Sequence, residues 1–265
     1  FRTPEDFAPV SLLVTVPELM VITPSHPART VAELNANPRV TILNRAMAFG
    51  YFAHNMIAVN ERLSEHLADP APGAPRERLW QIRAGEVVIA AGAHERPLVF
   101  PDNDRPGILL AGAARTYLNR YGVLPGRRVV IATGHDEAYR TAIDLSRAGV
   151  EVAVIADLRP RPTGPLVELA RALGLPIRTG CAITGSKGGR RVTSARLSAI
   201  LGAGRLGPPD EIACDAVLMS GGYTPTVHLF SQSRGKLTFD AATQRFLPGT
   251  YAQDCLSIGA CNGTD

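Results

Sequence analysis

The chain has 265 residues, of which 45% are hydrophobic and 20% charged, with four cysteines. This composition excludes a largely disordered chain and a disulfide framework, and the length predicts one large domain or two modest ones. No apolar run reaches the roughly 20 residues of a membrane-spanning helix. The net charge of +4 comes mainly from scattered arginines, which is not the pattern of a nucleic-acid-binding surface. We therefore expect a cytoplasmic α/β protein with neither a membrane nor a nucleic-acid partner.

The two ends of the chain carry little functional signal. Residues 1–28 contain five prolines and one predicted short strand near Leu12–Val16, and we assign them no function. Residues 254–265 predict a buried strand followed by a glycine-containing turn. A helix that covers the strand normally comes after such a turn. We interpret the chain as a fragment of a longer protein.

Extended structure dominates the first hundred residues. A helix is expected to end within Thr30–Asn35, and Pro70–Pro75 predicts a hairpin turn. Residues 54–68 fit a strand, a short helix, or both in turn. The run from 85 to 93 is apolar and ends in small residues, which is typical of a fully buried parallel strand. Further short strands are predicted at Arg39–Leu43, Ala48–Phe52 and Leu79–Arg83.

The clearest unit is a βαβ unit of about 30 residues, the kind that builds a doubly wound parallel sheet. Its parts are a strand at Arg128–Ala132, a turn at Thr133–Asp136, a helix at Glu137–Ala148 and a strand at Glu151–Ala156. The neighbouring elements are predicted as helices at Leu109–Arg120 and Pro165–Leu173, strands at Pro176–Thr179 and Ala213–Met219, and a hairpin tip at 185–191.

Two places could hold a nucleotide. In the βαβ unit, Thr133, His135 and Ala138 occupy the three small-residue positions of a G-x-G-x-x-G/A fingerprint, while Asp157 stands where a ribose-binding acid is expected. This turn could form a working NAD(P) site, or it could belong to a Rossmann-like scaffold whose nucleotide pocket is blocked. We favour the blocked pocket. The second place is formed by the strand ends Ile89–Ala93 and Leu256–Gly263, whose small residues would let a ligand approach the backbone. Such ends also occur in sheets that bind nothing.

The order of these elements resembles the two-dinucleotide-binding-domain flavoproteins, a Rossmann-like α/β fold. Ala90-Ala91-Gly92 corresponds to the family's "ATG" element, and Ser257–Ala260 to its final "GD" element. The resemblance to the α subunit of heterotetrameric sarcosine oxidase is more specific, runs from about residue 29 to 265 and is strongest over 40–126. It rests on the segments Ala48–Asn55, Leu79–Ala84, Gly92–Phe100, Asn103–Gly107 and Ala113–Val123.

The resemblance implies a nucleotide-binding part of a multi-subunit oxidoreductase. The first, incomplete dinucleotide-binding domain would comprise 29–107 plus 236–265, and a second Rossmann-like domain with a degenerate glycine motif would comprise 108–235. The intact glycine loop would precede residue 29 and a folate-binding domain would follow residue 265. The parent enzyme oxidises sarcosine to glycine, forms hydrogen peroxide and passes the one-carbon unit to tetrahydrofolate. Its flavins would lie chiefly in the β subunit, and the other subunits would be this chain's partners.

The resemblance also implies a site for NAD in the first domain. Ala91, Gly92 and Ala93 would border the pyrophosphate or ribose, while Arg45, Ala46 and Met47 would flank the adenine. Gly259 and Ala260 would face the nicotinamide half. Ala260 stands where relatives carry the acid that binds a flavin ribityl chain, which favours NAD over FAD. An FAD-binding subunit of a related amino-acid or opine dehydrogenase, and a scaffold that binds no nucleotide, remain the alternatives.

No catalytic residue is identified from the sequence. His94 and Glu95 could form an acid–base pair, although a linker in which Glu95 meets Arg96 or Arg105 is favoured. The segment Asn103–Gly107 could be a functional loop or a domain-connecting turn with an internal Asp–Arg contact, and we favour the turn. The cysteines form no C-x-x-C motif, Cys181 and Cys214 are expected to be buried, and the His and Cys spacing predicts no metal site.

Overall fold

The computed structural model describes residues 10–12, 36 and 40–264. The predicted helix end at Thr30–Asn35 lies outside these residues, as does most of the strand predicted at Leu12–Val16. The described residues form two compact units: unit 1 contains those up to His94 and those from Thr224 onward, and unit 2 is Glu95–Tyr223. Both crossings of the chain between the units therefore come earlier in the sequence than the boundaries expected at 107 and 236.

The first part of unit 1 is built from short strands. They are β1 Val10–Leu12, β2 Thr41–Leu43, β3 Ala46–Phe52, β4 Met56–Arg62, β5 Glu77–Arg83, β6 Val87–Ile89 and, at the crossing, β7 Ala93–Glu95. Strands β3, β4 and β5 form an antiparallel meander, and Pro70–Pro75 lies in the β4–β5 connection as predicted. Residues 54–68 thus contain a strand rather than a helix.

Unit 2 alternates strands and helices before it turns to antiparallel hairpins. In chain order it contains β8 Ile108–Leu110, α1 Ala111–Tyr121, β9 Arg128–Thr133, α2 Glu137–Arg147, β10 Glu151–Asp157, α3 Pro165–Ala172, β11 Ile177–Thr179, β12 Cys181–Gly188, β13 Val192–Gly202, β14 Arg205–Leu206, β15 Asp210–Ala213 and β16 Ala216–Ser220. The predicted βαβ unit is confirmed by β9, α2 and β10, and the two strands pair in parallel.

The chain then returns to unit 1. The returning elements are β17 Tyr223–Pro225 at the crossing, α4 His228–Gln232, β18 Lys236–Asp240, β19 Arg245–Thr250, β20 Cys255–Ser257 and the 3-10 helix η1 Gly259–Asn262. Strands β18 and β19 form a hairpin, whereas β20 pairs in parallel with β6. Among the described residues, no helix combines the length and the apolar character that crossing a bilayer requires.

Unit 2 is a three-layer structure. Its parallel sheet has the order β11-β10-β9-β16-β8. Alternate residues of β9 enter different cores: Val129 and Ile131 pack with α1, α2 and α3, whereas Val130 and Ala132 pack with the antiparallel strands β12 and β13. Both faces of the parallel sheet are therefore covered, which is the usual condition for such a sheet.

Two predictions near the sheets were wrong. The run 85–93 was expected to be fully buried, yet Val88 is 51% exposed and its cross-strand neighbour Leu256 is 54% exposed. Among the described strands, β6 pairs only with β20. Only the face of β6 that carries Ile89 packs into the core of unit 1. The helix predicted from Leu109 begins at Ala111, because Ile108–Leu110 pairs in parallel with β16 instead.

The loop before β9 leaves no room for a side chain at Gly126. A Cβ atom there would lie 2.4 Å from Asp215 Oδ1 and 2.9 Å from the Ala216 Cβ. That Asp215 carboxylate accepts hydrogen bonds from the amides of Arg127 and Arg128 and so closes the start of the strand.

We predict that Gly126→Ala lowers the free energy of unfolding by about 1–3 kcal/mol, since the clash must displace Asp215 from those amides. Gly189→Ala is the matched control in the same unit, because nothing lies within 4 Å of its Cβ position. It should change stability by less than about 0.5 kcal/mol in urea titrations. Equal stabilities for the two variants would contradict this account of the loop.

Candidate functional site

The paired strands β6 and β20 create the first candidate site, in unit 1. Because the strands are parallel, the residues that follow them emerge at the same edge. The Ile258 amide donates to the Ile89 carbonyl at 2.9 Å, and Cys261 Sγ lies 3.1 Å from the same oxygen. The predicted residues Ala91, Gly92 and Ala93 on one side, and Gly259 and Ala260 on the other, thus follow the carboxyl ends of two paired strands.

The backbone at this edge needs glycine. Gly92 has φ +69° and Gly259 has φ +65°, a region that side chains with a Cβ rarely adopt. A Cβ added to Gly92 would meet no atom within 4 Å, so the space beside it is open. The edge therefore offers small residues and free volume where a ligand could approach the main chain.

Two hydroxyl groups at this edge were not identified from the sequence. The Thr226 amide donates to the Gly92 carbonyl at 3.0 Å, and Ser257 is the last residue of β20. The side-chain oxygens of both are buried and have no hydrogen-bond partner among the described residues. Buried polar atoms normally have partners, so these two fit a site whose ligand carries polar groups. Single Ser and Thr residues give no recognisable sequence motif for such a role.

The residues expected near the adenine lie at the turn from β2 to β3. Arg45 adopts a left-handed conformation with φ +53°, and its carbonyl accepts a hydrogen bond from the Arg62 amide. Ala46 is buried in the core of unit 1, while Met47 is 54% exposed on the other face of β3. Arg45 and Met47 thus remain accessible to a ligand, whereas the Ala46 side chain faces the interior.

Asn55 holds the strands of unit 1 in place. Its side-chain amide donates to the carbonyls of Gly85 and Asp254, just before β6 and β20, and its Oδ1 accepts from Tyr51 Oη at 2.8 Å. Its backbone amide donates to Gln253 Oε1. Burial raises the pKa of Tyr51 well above its usual range. This network fixes where both strands begin and therefore where their glycine-bearing ends lie.

The second candidate site is the turn between β9 and α2 in unit 2. In a dinucleotide fingerprint the amides of this turn point at the phosphates. Here the Gly134 amide donates to the Ser220 carbonyl, the His135 amide to Thr133 Oγ1, and the Glu137 amide to His135 Nδ1 at 3.3 Å. The amides of Gly134, His135 and Glu137 are therefore already used within the protein.

An ion-pair network occupies the ribose side of the same turn. Asp157 is fully buried and accepts from Tyr139 Oη at 2.7 Å and from the Arg159 guanidinium and backbone amide. Arg159 also pairs with Asp136 at 2.7 Å. Burial, and then the hydrogen bond to Asp157, raise the pKa of Tyr139 above its usual range. The carboxylate expected to bind a ribose is thus bound by the protein's own side chains.

The observed partner of Glu95 is the helix α1. Its Oε2 accepts from the Gly112 amide at 2.9 Å in the first turn, where no side chain at the N-cap does so. Arg105, one of the partners expected for Glu95, instead pairs with Asp102 and binds Ser186 and Gly188. The Asp–Arg contact expected within Asn103–Gly107 is thus not the one observed, because the partner of Arg105 is Asp102, one residue before that segment.

The remaining titratable groups form no further site in the described residues. His94 and His228 are exposed, with their ring centroids 6.4 Å apart. The described cysteines are all free, and Cys181 and Cys214 are buried in the core of unit 2 as predicted. No three His, Cys, Asp or Glu side chains of the described part lie close enough to hold a metal ion.

Breaking the Asp157 network should be costly. We predict that Arg159→Met lowers the free energy of unfolding by about 3–5 kcal/mol, because it leaves a buried carboxylate without its cation. Tyr139→Phe should cost about 1–2 kcal/mol through one lost hydrogen bond. Arg161→Met, at an exposed arginine two residues away, is the control and should be nearly neutral. A neutral Arg159→Met in chemical denaturation would show that the network is not structural.

A pH dependence is expected from Glu95. Burial raises the pKa of this carboxyl above its ordinary 4.5. A raised pKa in the folded state gives stability that is present at low pH and is lost as pH rises through the folded-state pKa. Glu95→Gln keeps an acceptor for Gly112 but cannot ionise. The stability of the natural protein relative to this variant should therefore fall as the pH rises above 4.5, and a constant or rising difference would contradict the assignment.

Comparison with known proteins identifies the family. No protein-family model matches the chain. The sarcosine oxidase subunit alpha of Corynebacterium sp. (strain P-1) is 42% identical over 240 residues, which cover 88% of this chain and 24% of that protein. The sarcosine oxidase subunit alpha of Rhizobium meliloti (strain 1021) is 40% identical over 222 residues, covering 83% of this chain and 21% of that protein.

Among solved structures, L-proline dehydrogenase from P. horikoshii superposes with a TM-score of 0.58 at 20% identity, covering 85% of this chain and 37% of that one. This likeness confirms the expected Rossmann-like α/β fold. At 40–42% identity over most of its length, the chain belongs to the sarcosine oxidase α-subunit family, and it spans about a quarter of the length of these two members.

Proposed function

We propose that this chain is the nucleotide-binding part of a sarcosine oxidase α subunit. The complete enzyme would oxidise sarcosine to glycine with oxygen, form hydrogen peroxide and transfer the one-carbon unit to tetrahydrofolate. The observation that carries the proposal is the parallel pairing of β6 and β20, which places Gly92 and Gly259 at one edge of unit 1. The family relationship supports the same conclusion.

The proposed ligand is NAD, bound at this edge. Ala91, Gly92 and Ala93 would let the pyrophosphate approach the backbone, and the orphaned hydroxyls of Thr226 and Ser257 would serve its polar groups. Arg45 and Met47 would flank the adenine, and Ala260 would lie beside the nicotinamide half. When bound, NAD supplies a ring that can accept hydride. The GD element carries Ala260 in place of an acid, so no carboxylate there would bind a flavin ribityl chain.

Unit 2 is proposed to hold no nucleotide. In its β9–α2 turn the amides of Gly134, His135 and Glu137 already donate to acceptors within the protein. Arg159 neutralises the Asp157 carboxylate, which would otherwise bind a ribose. The unit would act as a scaffold within a cytoplasmic complex of several subunits.

A pair of glycine variants tests the proposed site in the full-length protein. Gly92→Val should reduce the bound nucleotide at least tenfold, because the branched side chain fills the open space beside the backbone. Gly73→Val is the matched control, since Gly73 lies in the same unit, has φ +76° and also has no atom within 4 Å of its Cβ position. It should keep its nucleotide.

The nucleotide is measured by denaturing each purified protein and identifying what is released by chromatography and mass spectrometry. NAD lost only from Gly92→Val is the expected result. FAD in the natural protein would contradict the proposed cofactor, and equal nucleotide in both variants would contradict the proposed position.

A further inference from the structure

The C-terminal half of α1 presents an apolar surface to solvent. Ala111 and Ala114 face the core of unit 2, whereas Tyr117 is 45% exposed, Tyr121 is 60% exposed and Val123 is 52% exposed. With Ala113 and Thr116 these side chains line an open groove of about 680 Å³. Large aromatic side chains at this exposure are typical of protein–protein interfaces and are not needed to fold the helix.

The groove is held in a fixed shape by its own backbone. Tyr117 and Tyr121 are one helical turn apart, and their ring centroids lie 6.3 Å from each other. Gly122 ends the helix in a left-handed conformation, after which the Val123 amide donates to the Tyr117 carbonyl. This turn sets Val123 beside the tyrosines. A surface that is already ordered loses little conformational freedom when a partner binds.

A positively charged side chain lies beside the groove, and unit 2 as a whole carries a surplus of positive charge. The Arg120 guanidinium lies 5.6 Å from the Tyr121 ring centroid and forms no ion pair with the described carboxylates. Over Glu95–Tyr223 there are 17 Arg and Lys against 12 Asp and Glu, a surplus of 17 − 12 = 5 positive charges, whereas the whole chain carries only +4. A complementary partner would therefore bring an apolar side chain for the groove and a carboxylate for Arg120.

We propose that this groove, lined by Ala113, Thr116, Tyr117, Tyr121 and Val123, binds another subunit of the same enzyme through an apolar anchor that is flanked by an acidic residue. The proposal rests on the proposed function, because it takes the chain to be one subunit of a larger complex. Tyrosine and arginine are the residue types that carry most binding energy at such contacts. The groove would therefore contribute strongly to subunit assembly without touching the nucleotide.

The test is assembly of the full-length protein co-expressed with its other subunits, measured by size-exclusion chromatography with light scattering. Tyr117→Ser/Tyr121→Ser and Arg120→Glu should each raise the dissociation constant of the complex at least tenfold while leaving the bound nucleotide unchanged. Leu201→Ser/Leu206→Ser is the matched control, because these side chains are 59% and 48% exposed on another surface of unit 2. That control should assemble normally.

Assembly of the tyrosine variant with unchanged affinity would overturn the proposal. An unaffected Arg120→Glu variant would overturn the acidic character of the partner. The tyrosine substitutions could instead lower the melting temperature of the isolated full-length chain and leave assembly intact. That result would show that the rest of the same chain covers the groove, and it would also overturn the proposal. Absence of bound nucleotide in the natural protein would contradict the proposed function and would say nothing about the groove. Failure of the proposed function and failure of the proposed subunit contact are therefore distinguishable.

Discussion

The parallel pairing of β6 with β20 is the constraint on which unit 1 depends. The whole of unit 2 lies between these strands in the sequence, so their hydrogen bonds close a very long loop before they contribute any stability. Asn55 reinforces the closure, because one side-chain amide binds the residues before both strands. The proposed position of the ligand depends on this pairing, since it brings the ends of the strands that precede Gly92 and Gly259 to a common edge.

The two units differ in the polar groups and the space that lie at the carboxyl ends of their parallel strands. In unit 1 the edge has open space beside Gly92 and two buried hydroxyls that lack a described partner. In unit 2 the corresponding turn is already satisfied, with Arg159 bound to Asp157 and Asp136, and the Gly134 amide bound to Ser220. Unpaired polar groups and open space at the end of a strand favour ligand binding, whereas polar groups that already have partners favour a rigid structural role.

The sequence predicted the parts of the fold that local patterns determine. The strand at Arg128, the helix at Glu137 and the strand at Glu151 are specified by hydrophobic periodicity and a closing glycine, and all three are confirmed. Strand β8 was missed because Ile108–Leu110 has no helical or strand signal of its own and is extended only through pairing with β16. The exposure of Val88 was mispredicted because an apolar run does not reveal which face is covered.

The candidate site was predictable only in part. The resemblance located Gly92 and Gly259, and the structure supplies the reason, since both need positive φ at adjoining strand ends. Thr226 and Ser257 could not be found, because their importance depends on buried oxygens that lack partners in the folded chain. The cap formed by Glu95 on α1 was missed for a similar reason, as it joins residues that no short motif connects.

Hydrogen–deuterium exchange of the full-length protein, with its nucleotide bound and after its removal, would show which strand ends the nucleotide contacts. We predict that the nucleotide slows exchange of the amides at 90–93 and 258–261 and leaves those at 133–137 unchanged. Protection by the nucleotide at 133–137, with no change at the edge formed by β6 and β20, would contradict it.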